Sequence, residues 1–384
     1  MLAPMRTLSA LLVVVGLTSV GCGGADALPS TPAGGARDAG GNDAQALEDA
    51  GTASDAARPV DAGAPDAGVV VDCALAPACD AASPTTDPLE TWRHTVAAPI
   101  TVAAGAARHR GRDLYLRESD PQWALAKFSY GAVDSDLQDE DVDVWLLRGC
   151  TTWELLGRAT TTNEGAHATV EGVADGGGRV YFPIPDAARL GIGRHRIHFV
   201  VRGDHTTADQ FIEVLPSTAR FVVTDMDGTL TTSESAAFTS LFSATPPDAN
   251  AGAAAALTAL ARRGYRIFYL TARPEWLETK SHEWIVLRGF PPGNVHTTLN
   301  GIGALGPVAE TFKTDELASL EARFPGAVEW GIGNTSTDAA AYAASGIAPD
   351  HSLFYMFDPG ATGTRFDDYA ALVAGFDALT SDCR

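Results

Sequence analysis

Residues 220–235 read RFVVTDMDGTLTTSES. Four β-prone residues, Phe221 to Thr224, run directly into Asp225 and Asp227, and a Gly228-Thr229 pair then breaks the pattern. A carboxylate pair at the end of an apolar strand is expensive unless it meets cations or does chemistry.

Working outward, the chain alternates strand and helix patterns from Arg220 onward. RFVVTD, RIFYLTA, VEWGIG and SLFYMF read as strands, and PDANAGAAAALTALARRGY, PEWLETKSHEWIVLRG, ETFKTDELASLEARFP and STDAAAYAASG as helices. Such alternation predicts a parallel sheet covered by helices on both faces, with ligands at the carboxyl ends of the strands. Polar groups gather at those ends. The second strand delivers Thr271 in YLTARP, a helix start delivers Lys313 in TFKTDE, and the fourth strand delivers Asn334 and Asp338 in GIGNTSTD.

Asp-x-Asp-Gly-Thr after an apolar strand resembles the signature of haloacid-dehalogenase-type (HAD-like) phosphotransferases, which implies a capless Rossmannoid domain over residues 217–384. By that resemblance Asp225 attacks phosphorus to give an aspartyl phosphate, and Asp227 protonates the leaving oxygen and then activates water. Thr229, Thr271 and Lys313 would bind phosphate oxygens, and Mg2+ would sit on Asp225, Asp227 (through its main-chain carbonyl), Asn334 and Asp338. Neither the loop after Thr231 nor the one after the second strand has room for a covering domain. Such an open site suits a large or membrane-embedded phosphoester. Phe238, Leu241 and Phe242 are candidates for a small apolar flap.

A finer resemblance lies in FYLTARPEW, FPPGNVHT, FKTDELASL and RFPGAVEWGIGNTSTDAAAYAASGI. These segments are similar to the Lipin/Ned/Smp domain of lipin phosphatidate phosphatases and of membrane-associated, retinal-degeneration-B-type phosphatidylinositol transfer proteins. RLGIGRHRIHFVVRGDHTTADQFIEVLP, upstream, is similar to the segment preceding that domain in the transfer proteins. Two readings follow. The intact Asp225, Asp227 and Thr229 and the lipin-like Asn334/Asp338 spacing imply a Mg2+-dependent phosphatase acting on phosphatidate or a related phosphomonoester. The transfer-protein likeness implies a module that binds phosphatidate without turning it over, and a general cell-envelope phosphomonoesterase is a third option.

Residues 89–216 carry short alternating runs (VDVWLLRG, GRVYFPIP, HRIHFVVRG) separated by NEG, ADGGG and LGIG turns, which predict an all-β, immunoglobulin-like sandwich. Ile197, Phe199 and Val201 should share one face. Residues 23–88 are rich in Ala, Gly, Asp and Pro, a composition that reads as a disordered acidic tether. Arg6 followed by LSALLVVVGLTSV reads as a targeting segment. Its end, SVGC, resembles a bacterial lipoprotein signal over residues 1–22, implying lipidation at Cys22, a membrane partner through that lipid, and a periplasmic or surface-exposed place in the bacterial cell envelope. Cys73 and Cys79 are near enough in sequence to pair, leaving Cys150 with Cys383. With 48 acidic and 27 basic residues among 384, the net charge of −21 argues against nucleic acid as a partner.

Overall fold

The computed structural model describes residues 71–233 and 246–383. Among the described residues ten strands precede Arg220: β1 (Arg110–Gly111), β2 (Leu114–Arg117), β3 (Trp123–Lys127), β4 (Ser129–Tyr130), β5 (Ser135–Asp136), β6 (Asp141–Arg148), β7 (Thr152–Thr160), β8 (Arg179–Pro183), β9 (Gly193–Val201) and β10 (Thr207–Leu215). They form a five-stranded sheet, β2-β10-β9-β6-β7, facing a three-stranded one, β1-β3-β8, while β4 and β5 pair as a ribbon. Alternation explains the core. Val142, Val144 and Leu146 of β6, Ile197, Phe199 and Val201 of β9 and Ile212 and Val214 of β10 meet Leu125 and Val180 from the other sheet. Each such side chain contributes about 1.5–3 kcal/mol by leaving water. One pairing departs from an all-antiparallel sandwich: β10 runs parallel to β2.

The second half is the predicted parallel sheet. Its strands are β11 (Arg220–Thr224), β12 (Tyr265–Leu270), β13 (Gly293–His296), β14 (Val328–Gly333), β15 (Ser352–Tyr355) and β16 (Thr364–Phe366), in the order β13-β12-β11-β14-β15-β16. Phe221, Val222 and Val223 are fully buried because helices cover both faces. The described helices here are α1 (Ala253–Arg262), α2 (Glu278–Leu287), α3 (Pro307–Arg323), α4 (Ser336–Ala344) and α5 (Ala370–Asp377). Val222, Ile267 and Ile332 pack on one face with Leu257, Leu260, Trp284 and Phe376. Phe221, Val223 and Phe268 pack on the other with Leu317, Leu320 and Tyr342. Succession runs β11 to β13 toward one edge, then returns to β14 beside β11 and continues outward. Asp225 therefore emerges at the switch point, where such sheets open a crevice.

The two layers share a seam. Tyr115 and Leu215 of the sandwich enter the core beside Phe221 and Phe268. Tyr115 Oη donates to the carbonyl of Ile267 (2.7 Å), and Asn294 Nδ2 to that of Leu114 (2.9 Å). Edge strand β13 is thus closed off by the sandwich instead of being left to pair with another chain.

Two expectations are corrected. The acidic tether was expected to run to residue 88, but residues 71–88 are fastened to the body. Cys73 N donates to the carbonyl of Arg262 (2.8 Å), and Trp153 Nε1 to that of Ala82 (2.8 Å). The disulfides join Cys73 to Cys383 and Cys79 to Cys150, not Cys73 to Cys79. The reason is the path of the chain. Cys73 lies against the end of α1 near the C-terminal segment, and the chain then crosses to the β6–β7 turn that carries Cys150. Residues 1–22, with the targeting segment and Cys22, and the Phe238, Leu241 and Phe242 flap fall outside the described residues. No described helix is long and apolar enough to cross a membrane.

Candidate functional site

The aspartate turn is built tightly. Gly228 sits at φ +74°, in the left-handed region that side-chain-bearing residues rarely adopt. Asn250 Nδ2 donates to the carbonyls of Thr229 (2.6 Å) and Thr231 (3.1 Å), and Tyr369 Oη to that of Thr229 (3.0 Å). This holds Asp225 at the strand end with its carboxylate buried.

Most of the residues expected from the sequence converge there. Lys313 Nζ donates to Asp225 Oδ1 (2.7 Å) and Asp338 Oδ1 (2.6 Å). Thr229 Oγ1 lies 3.0 Å from Asp225 Oδ2 and 2.9 Å from Asn334 Oδ1. Thr271 Oγ1 donates to Asp227 Oδ2 (3.2 Å). Lys313 does not stand at a helix start, however. Helix α3 begins at Pro307, so the lysine is nearly two turns in and reaches the site from the buried face of the helix.

Charge follows burial. Desolvation pushes the Asp225 carboxyl up to about 7 despite the neighbouring ammonium, with Asp338 and Asp227 adding to the rise. Burial would lower the Lys313 ammonium, but Asp225 and Asp338 outweigh it and hold its pKa above the ordinary lysine value.

Asp338 also does structural work. Its Oδ2 accepts from Asn334 N (3.1 Å), Thr335 N (3.0 Å) and Thr335 Oγ1 (2.7 Å), and its Oδ1 is taken by Lys313. Thr335 and Asp338 form a capping box at the start of α4. Gly333 is needed beside it, because a Cβ there would come within 2.5 Å of the Asp338 Cβ. With both oxygens accepting, Asp338 anchors the lysine and the loop in addition to the ligand part expected of it. The oxygens gathered for a cation are those of the Asp225 carboxylate, the Asp227 main-chain carbonyl, Asn334 Oδ1 and Asp338 Oδ1, each with a lone pair beyond the bond it accepts here. Thr229 touches two of them, which puts them on one side of the turn. This hard, mixed oxygen set fits Mg2+ with retained waters.

The sequence reading missed Arg273. Its Nε and Nη2 donate to Asp227 Oδ2 and Oδ1, both at 2.8 Å, a bidentate clamp, while Nη1 reaches Ser281 Oγ (2.8 Å). The available signal was a cationic residue two places after Thr271, at the same strand end. Glu275, two further on, accepts from Arg110 (2.9 Å) and from Arg179 (2.8 and 3.0 Å) of the sandwich. The segment Thr271–Glu275 is thus gripped from both sides, and the sandwich braces the site without lining it.

Also unforeseen is the rim. Ile302, Leu305 and Val308 are 85%, 84% and 63% exposed. Their loop is tied directly to the second strand end, by Thr298 N to Arg273 O (3.0 Å) and Ala304 N to Ala272 O (2.9 Å).

Comparison with known proteins agrees with this architecture. Residues 107–214 match the model of the PITM 1-3 β-sandwich domain, and residues 222–356 that of the PITM 1-3 LNS2 domain. The chain is 34% identical over 209 residues to membrane-associated phosphatidylinositol transfer protein 2 of Mus musculus, covering 54% of this chain and 14% of that protein. It is 29% identical over 289 residues to protein retinal degeneration B of Drosophila melanogaster, covering 71% and 20%. Membrane-associated phosphatidylinositol transfer protein 1 of Homo sapiens is 30% identical over 266 residues, with 69% and 20% covered. The chain thus spans between a seventh and a fifth of these relatives. All three are eukaryotic proteins and two are named as membrane-associated phosphatidylinositol transfer proteins, which overturns the expectation of a lipid-anchored protein of the bacterial cell envelope held by Cys22. What the chain carries is a β-sandwich domain followed by an LNS2 domain.

Proposed function

We propose that the strand-end hollow binds the phosphomonoester headgroup of a membrane lipid, phosphatidate or a close relative, as a recognition module of the transfer-protein kind. The observation that carries this reading is the Arg273 clamp. Both carboxylate oxygens of Asp227 accept from one guanidinium, so the group needed to protonate a leaving oxygen is an acceptor on both sides. Recognition does not need that proton. Lys313, with a third N–H beyond those given to Asp225 and Asp338, and Thr271, on turning from Asp227, would supply donors for phosphate oxygens, and bound Mg2+ would neutralise headgroup charge beside Asp225. The exposed Ile302, Leu305 and Val308 give the rim an apolar surface suited to the acyl boundary of a bilayer, where buried apolar area sets binding strength.

The second reading, a phosphatase working through Asp225, is favoured by one observation: the nucleophile, Thr229, Thr271 and Lys313 stand together undamaged. One experiment separates the two. Vesicles of phosphatidylcholine with and without phosphatidate are floated with the protein and Mg2+, and phosphate release is followed in the same tubes. The expected result is phosphatidate-dependent flotation with negligible release. Arg273→Lys, which frees one oxygen of Asp227, should raise release if any latent chemistry exists. Rapid release by the unaltered protein, abolished in Asp225→Asn, would replace the recognition reading with the phosphatase.

A further inference from the structure

Away from the strand-end hollow, at the seam between sandwich and parallel sheet, three side chains converge with one carboxylate oxygen left unmatched. Asp113 lies between β1 and β2, and Glu278 and His282 lie one turn apart on α2. The three offer ligand atoms that all lie within 4.8 Å of one another, the one His, Cys, Asp and Glu group so arranged among the described residues. His282 Nε2 is 2.8 Å from Asp113 Oδ2 and 3.0 Å from Glu278 Oε1. A ring nitrogen carries one proton at most. It hydrogen-bonds Asp113, and Glu278 Oε1, fully buried, is left with no hydrogen-bond partner. The Glu278 side chain is only 4% exposed. Two carboxylates around one imidazole form a buried arrangement short of positive charge. The nearby Arg194 guanidinium does not make up the shortfall, because it is already held by Glu213 and Asn294 Oδ1 (3.0 Å).

We infer that Asp113, Glu278 and His282 form a second cation site, distinct from the strand-end hollow, for a borderline divalent ion of the Zn2+ class. One imidazole nitrogen and two carboxylate oxygens make the three-protein-ligand set that such ions adopt, leaving a fourth position for water. The ligands are aimed in advance. Asp113 Oδ1 accepts from Phe211 N (2.7 Å) and its Oδ2 from Val295 N (2.9 Å), outer contacts of the kind that orient metal-binding carboxylates. Glu278 and His282 sit at i and i+4, on one face of the helix. A route from solvent exists: a cavity of about 540 Å3 is lined by Glu278, His282, Phe211 and Phe290. On binding, the ion takes the place of the Nε2 proton, which leaves to solvent, and two carboxylates plus a divalent cation become neutral. Because Asp113 belongs to the sandwich and the other two to α2, the ion clasps the two layers together.

The test uses the full chain stripped of metal with a chelator and dialysed. Zn2+ is added and counted by elemental analysis after gel filtration, and Co2+ is added separately and followed by its visible absorption. The expected result is one Zn2+ retained per chain, a four-coordinate Co2+ spectrum and a higher melting temperature. Asp225→Asn should keep all three, whereas His282→Ala should lose them. Glu278→Gln preserves shape should the histidine variant misfold, and it should weaken affinity more than the roughly 10–100-fold that losing an outer partner costs. No retained ion, or retention unchanged in Glu278→Gln, overturns the proposal.

Discussion

The strand-end hollow and the seam between the two layers are built from the same kinds of residue and do opposite things. At the seam, Arg112 Nη2 meets both oxygens of Glu316 (2.6 and 2.8 Å), and His296 adds a third contact at 2.6 Å. Arg110 and Arg179 close on Glu275 in the same way. There, carboxylates of one layer are answered by guanidinium groups of the other. In the hollow, a single ammonium is divided between Asp225 and Asp338, and the Asp225 and Asn334 oxygens share one hydroxyl. A cluster whose charges are all answered is a fastener, and one that is short of cation is a site. The Asp113 cluster lies at the seam but resembles the hollow in this respect, which is why it is read as a binding place.

The largest effect should come from breaking the hollow. Lys313→Met leaves two buried carboxylates without their cation, at a cost of about 3–5 kcal/mol. Thermal or denaturant unfolding reads that loss directly, and phosphatidate flotation should vanish with it. A near-silent substitution would mean that Asp225 and Asp338 are not held by this lysine.

The seam should answer to acid. Burial alone would raise the Glu316 carboxyl, but Arg112 and His296 overcome it and hold it down to about 2, below the usual value of 4.5. A depressed folded-state value means that the stabilisation is fully present above about pH 4.5 and is lost as the pH falls toward 2. The shift corresponds to about 3 kcal/mol. Unfolding measured across that window should slope steeply for the unaltered chain and less so for Glu316→Gln. Equal slopes would remove Glu316 from the fasteners.

The rim should matter least to stability and selectively to membranes. Ile302→Asp with Leu305→Asp changes exposed side chains, so unfolding should move by no more than about 0.5 kcal/mol. Flotation on phosphatidate vesicles should fall by about tenfold or more, since apolar contact is lost and negative charge is added. Capture of a soluble short-chain phosphatidate should be unchanged. Equal loss of both would place the two residues inside the hollow instead of on its rim.

The hollow was largely legible in the sequence because parallel sheets bring their strand ends to one edge. Once RFVVTD, RIFYLTA and VEWGIG are read as strands, Asp225, Thr271 and Asn334 must approach one another. Lys313 was placed too near the start of its helix because that start is set by Gly306 and Pro307, outside the apolar pattern. The sandwich was legible as alternation, but its division into sheets and the parallel β2–β10 pairing were not, since these depend on contacts nearly a hundred residues apart. The cysteine pairing failed for the same reason: nearness in sequence said nothing about a chain that crosses from α1 to the β6–β7 turn. Arg273 and the Asp113 cluster were missed because one looked like an ordinary strand-end cation and the other joins residues more than 160 positions apart.

The most direct measurement follows the phosphorus resonance of a short-chain phosphatidate as protein and Mg2+ are added, with Asp225→Asn and Thr271→Val alongside. The account predicts a saturable shift with the unaltered protein, a weaker one with each variant, and a phosphomonoester that persists for hours. A resonance that never moves, or that converts promptly to inorganic phosphate, would contradict it.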